Sequence, residues 1–108
     1  MPRYLVKASY SPEGVQGLLK EGGSARRDAL TAAVASAGGT VESLFYAFGG
    51  DDLYIVMDAP DNVSAAALGL AVAAGGAITW NTTVLLTPEE IDEAARKSVT
   101  YRPPGGVS

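Results

Sequence analysis

The chemistry open to this chain is bounded first by two residues it lacks: there is no histidine and no cysteine. Disulfides, thiolate zinc sites, Fe–S clusters and cysteine nucleophiles are thereby excluded. So are the commonest general base and any Ser-His-Asp triad. The densest remaining ionisable group is Asp51, Asp52, Asp58 and Asp61. Such oxygen ligands suit a hard cation like Mg²⁺ or Ca²⁺. Their spacing is not that of an EF-hand, however, and solvated-turn and helix-capping roles account for them, so no metal site is assigned. Asp58 is the exception, since it lies inside the apolar run LYIVMDA. A carboxylate buried there needs a partner or shifts its pKa, unless the strand ends at Asp58 in water. A general base in this chain would be Asp58 or a tyrosine such as Tyr54.

Lys7 and Asn81 are polar residues inside strand-like segments at opposite ends of the sequence. If those segments are neighbours, the two side chains converge near Ser9, Thr79 and Thr83. They would then form a polar patch for a small anionic or carbonyl-bearing ligand. The competing reading makes Lys7 the guard of a sheet edge. Tyr4, Tyr10, Phe45, Tyr46, Phe48, Tyr54 and Trp80 suit either an aromatic pocket or, more commonly, core and subunit interface. Arg26 and Arg27 fall at a helix start, where the dipole disfavours a cation. Arg26 should therefore have an anionic partner: Glu42, Asp28, a neighbouring chain or a bound anion. The candidate ligand-binding residues are thus Lys7, Arg26, Tyr46, Trp80 and Asn81. The glycine pairs spell neither G-x-G-x-x-G nor a P-loop. A haem would find only tyrosine or methionine as axial ligand, and no cofactor is assigned.

These residues must be held by elements that the patterning locates. Residues 3–10 alternate, with Tyr4, Val6, Ala8 and Tyr10 on one face. Ser11-Pro12 starts a helical stretch that Gly22-Gly23 interrupts, with Ser24 as a second N-cap, and Gly38-Gly39 ends it. Residues 40–48 and 53–59 form two strands around the hairpin signal Gly49-Gly50-Asp51-Asp52. Asp61 or Asn62 caps an alanine-rich helix over 63–74, and residues 77–86 make a fourth strand. Thr87-Pro88-Glu89-Glu90 is a capping box opening a last helix to about residue 98. The order predicts an α+β, ferredoxin-like βαββαβ fold: a four-stranded antiparallel sheet plus one C-terminal helix.

Helices in that plan cover one sheet face only. Yet bulky residues occupy both alternating sets: Tyr46, Phe48, Tyr54, Val56 and Trp80 on some faces, Leu44, Phe45, Ile55 and Met57 on others. A bulge would swap members between the sets. A strand apolar on both faces is covered on both sides, so the second cover should be another chain, most simply in a sheet-to-sheet dimer.

The 108 residues suit one domain, read as 1–100 with a tail at 101–108 that is either loosely ordered or laid on a neighbour. A net charge of −4 with scattered basic residues argues against nucleic acid. The stretch 63–78 is too short and small-sided for a membrane span. No secretory signal is visible, so the cytoplasm is the expected compartment.

The segments GGSARRDAL, Ala37-Gly38-Gly39, FGGDDLYIVMDAPD and AITWNTTVLLTPEE resemble the GYD domain family, in its order and over nearly the whole chain. That resemblance implies a small bacterial protein of ferredoxin-like, dimeric α/β-barrel type with no settled activity. The matching place for the family's Gly-Tyr-Asp signature reads Gly49-Gly50-Asp51-Asp52, with Asp51 where tyrosine is expected.

Three functions fit these features. The first is an oligomer binding a small molecule or protein partner in an inter-subunit cavity. The alternative is a cofactor-free monooxygenase- or isomerase-like enzyme acting on a small aromatic or carbonyl compound, with Asp58, Tyr54 and Asn81 as working groups; this rests on fold analogy. The third is a subunit of a ring or cage, with the tail as contact arm. The missing histidine favours the first.

Overall fold

A computed structural model describes residues 1–47 and 49–106. Strand β1 (Arg3–Tyr10) leads into helices α1 (Pro12–Glu21) and α2 (Gly23–Ser36), then β2 (Thr40–Tyr46) and β3 (Leu53–Asp58). Helix α3 (Asn62–Ala74), β4 (Ile78–Leu85), α4 (Pro88–Ala95) and a short 3₁₀ turn at Pro104–Gly106 complete the chain. The four strands form one antiparallel sheet in the order β2-β3-β1-β4. This is the α+β, ferredoxin-like arrangement that the element order predicts.

The local chemistry explains the element ends. Ser11 caps α1 by accepting the Gly14 N–H at 3.0 Å, and Asp61 caps α3 by accepting the Ser64 N–H at 2.8 Å. At Thr87 both halves of the capping box form: Glu90 N–H donates to its hydroxyl, and its own N–H donates to the Glu90 carboxylate. The α1–α2 break is made by Gly22, whose φ of 88° other residues rarely adopt. Helix α2 therefore begins at Gly23 without a side-chain cap, two residues earlier than a Ser24 cap would allow.

The core lies between the sheet and helices α2 and α3. Tyr4, Val6 and Ala8 of β1 and Leu53, Ile55 and Met57 of β3 point into it, against Leu30, Val34, Ala65 and Leu68. It holds no buried charged side chain among the described residues. Alternation thus sorts β1 and β3 as their patterning predicts.

Strand β2 is sorted by a bulge. Val41 pairs with Met57 and Ser43 with Val56, leaving Glu42 as the extra residue. Leu44 and Tyr46 consequently share the helix-covered face with Ile55 and Leu53, while Phe45 shares the open face with Tyr54. Trp80 pairs with Ala8 and also lies on the helix side. The predicted set of Tyr46, Tyr54, Val56 and Trp80 is thereby split. Phe48 lies outside the described residues.

The C-terminal segment extends away from this body. Helix α4 buries none of its residues, and Leu86, Ile91, Val99 and Tyr101 are exposed. The long axis of 57 Å and radius of gyration of 17.4 Å exceed the roughly 13 Å of a compact chain this size.

Candidate functional site

Register builds the site. Phe45 pairs with Tyr54, Tyr54 with Lys7, and Lys7 with Asn81, so one row crosses all four strands. Directly paired Cα atoms lie about 4.5–5.5 Å apart, which makes these side chains immediate neighbours. The adjacent row is Ser43, Val56, Leu5 and Thr83. Both rows lie opposite the helices, and no element covers them among the described residues. Phe45 is 70% exposed there, and Lys7 and Asn81 are also exposed.

The Lys7 ammonium makes no ion pair among the described residues. The neighbouring cation, Arg3, is held instead by Glu42 at 3.1 Å. Lys7 therefore presents a point charge without an ion pair among the described residues, flanked by the Tyr54 phenol and the Asn81 amide, on a face that Leu5, Phe45 and Val56 share with Ser43 and Thr83. Such a group binds a carboxylate, phosphate or carbonyl oxygen. Strand β1 is central in the sheet, so Lys7 guards no edge; β4, carrying Asn81, is the edge strand.

Asp58 stands elsewhere. It ends β3, pairs with Arg3, and accepts the Thr40 N–H at 2.9 Å. Lys7 lies four positions beyond Arg3 in β1, roughly 13 Å along the strand. The fold thus brings Tyr54, Lys7 and Asn81 together and leaves Asp58 at the far corner. The other three aspartates of the acidic group, Asp51, Asp52 and Asp61, are engaged with nearby backbone or side chains. Asp52 accepts the Tyr10 N–H at 2.9 Å, and Asp61 takes the Ser64 N–H, which pulls its carboxyl below its ordinary range. No cluster of three potential metal ligands occurs among the described residues.

The remaining candidates occupy the other side of the sheet. Trp80 packs beneath α3 where Gly69 leaves room for the indole, and its ring N–H is buried without a partner. Arg26 pairs with Glu21 at 3.7 Å, not with Glu42 or Asp28, because the Gly22 corner brings the end of α1 alongside the first turn of α2. Asp28 pairs with Arg27. The Tyr46 hydroxyl donates to the Gly23 carbonyl at 3.0 Å. Burial, then the neighbouring Tyr10, push Tyr46 up to about 12, against the opposing pull of Arg26 and Arg27. Tyr46 and Tyr10 also line a mostly apolar cavity of about 380 Å³ with Val15, Leu18 and Gly23. Sequence reading lists both tyrosines but not this cavity. Its signal was that each ends the inward-facing set of its strand beside a helix break or turn.

A four-stranded antiparallel sheet with helices on one face and a polar-centred row on the other defines a small α+β protein of ferredoxin-like fold. The chain belongs to the GYD domain family, whose sequence profile matches residues 4–95. Neither curated proteins nor solved structures gave a match. No helix of the described residues is long and apolar enough to cross a membrane.

Proposed function

We propose that the chain works as a homo-oligomer in which two copies meet across the open sheet face. Lys7, Tyr54 and Asn81 hold a small anionic or carbonyl-bearing ligand in the cavity between them. The observation that carries this reading is the row Phe45–Tyr54–Lys7–Asn81, an ammonium that is unpaired among the described residues, beside exposed aromatic rings on a face that no described element covers. Leaving Phe45 and Tyr54 to water forgoes the hydrophobic gain of burying them, about 25 cal/mol per Å², which a facing sheet recovers. The exposed apolar residues of α4 and the following segment give a second surface for the same partner. The family resemblance implies the same dimeric arrangement.

This is a binding function. The separation of Asp58 from Asn81 along the sheet leaves proton transfer between them without a shared centre. Native mass spectrometry of the purified protein, with a denaturing spectrum alongside, tests the reading. An even-numbered oligomer with a reproducible extra mass that denaturation releases is the expected result. A monomer would refute the interface, and an even oligomer that takes up no carboxylate, phosphate or carbonyl compound from a metabolite panel would refute the ligand.

A further inference from the structure

The cavity between the α1–α2 corner and the ends of β1 and β2 lies on the opposite side of the sheet from the Lys7 row. Its walls come from one chain alone. Its volume of about 380 Å³ falls in the range of small-molecule sites. Val15, Leu18 and the two tyrosine rings give it an apolar wall.

Two hydroxyls meet at this cavity in different states. Tyr46 has its proton committed to the Gly23 carbonyl. The Tyr10 hydroxyl is shielded from water and lies beside the Tyr46 oxygen, but makes no hydrogen bond of good geometry among the described residues. A buried donor in that condition costs stability unless something accepts from it. We propose that this cavity is a second small-molecule site, for a small, neutral, largely apolar compound carrying one carbonyl-type acceptor, which takes the Tyr10 O–H.

Neutrality follows from the surroundings. Asp52 lines the cavity with its carboxylate turned to the Tyr10 N–H, which disfavours an anion. Arg26 and Arg27 lie close enough to Tyr46 to act on its charge, which disfavours a cation. Reaching the Tyr10 hydroxyl requires the Tyr46 ring beside it to give way, and Tyr46 is 36% exposed and held to Gly23 by one hydrogen bond. Gly23 lets the ring sit closed against the corner, since a Cβ there would crowd it at 3.2 Å.

The test uses acetophenone and its acceptor-less analogue ethylbenzene as probes, followed by amide chemical shifts of the full chain. Acetophenone should shift the amides of Tyr10, Gly23, Ala47 and Asp52 and bind about tenfold more tightly than ethylbenzene, the worth of one neutral hydrogen bond. Tyr10→Phe should remove that preference. Val15→Trp, which fills the cavity from a partly exposed helix position, should abolish binding of both probes. Equal binding of ketone and hydrocarbon, or a preference that survives Tyr10→Phe, would overturn the proposal. Shifts confined to the Lys7 face, or probe release as protein concentration rises, would overturn it as well, the latter by assigning the cavity to the exposed C-terminal segment of a second copy.

Discussion

Lys7 and Asn81 stand directly opposite each other on the neighbouring strands β1 and β4, on the sheet face that carries no helix. They are 74 positions apart in sequence, and only the strand order β2-β3-β1-β4 makes them neighbours. Tyr54 flanks Lys7 on the other side, from β3. A charge, a phenol and an amide thus share one row without any bond among them that fixes the ammonium.

Replacing Lys7 should separate binding from stability. The side chain is exposed and unpaired among the described residues, so Lys7→Ala should change unfolding free energy by no more than about 0.5 kcal/mol in denaturant titration. The same substitution should eliminate the released mass in native spectra. A large stability loss with ligand retained would show that Lys7 is a structural residue.

Tyr46 gives a signature on the alkaline side. Its hydroxyl is raised from 10.0 to about 12, first by burial and then by Tyr10. The folded form therefore holds the proton more tightly than the unfolded form. That contribution is complete below pH 10 and is lost as pH climbs from 10 towards 12. Tyrosinate absorbance should contain a component near pH 12 that disappears in Tyr46→Phe, and the variant's stability should fall less steeply across that window. Identical titrations for the two proteins would contradict the buried corner.

Much of this was legible before any coordinates, and the reasons are local. The Thr87 capping box, the Asp61 cap and the inward set Tyr4, Val6, Ala8 follow from side-chain chemistry and period two, which short-range sequence carries. The faces of β2 did not follow, because the extra residue Glu42 reverses the alternation after Val41 and no residue type announces a bulge. Arg26 likewise found Glu21 through the bend at Gly22, a three-dimensional consequence of one positive φ. The convergence of Lys7 with Asn81 could be anticipated only through the fold's strand order. The Tyr10 cavity depends on where two helices part, which patterning does not measure.

Helix α4 offers a test on the dynamic level. Eight residues with no buried side chain are too short to hold a helix firmly in water, even with the Thr87–Glu90 box. If a second copy covers this segment, hydrogen exchange of residues 88–95 should slow as protein concentration rises. Thr87→Ala, which removes a cap worth about 1 kcal/mol, should speed exchange there and leave the sheet amides unchanged. Protection that is the same at all concentrations would show that no partner reaches the helix.

The central claim, that the open sheet face is closed by a second copy, is tested most directly by sedimentation equilibrium of the wild type beside Phe45→Lys. Phe45 is 70% exposed at the end of the Lys7 row, so a lysine there leaves the core of the single chain intact while placing an added charge in the interface. The account predicts an even-numbered oligomer for the wild type and a folded monomer for the variant. A monomeric wild type, or an oligomer of the same size and affinity with Lys at position 45, would contradict it.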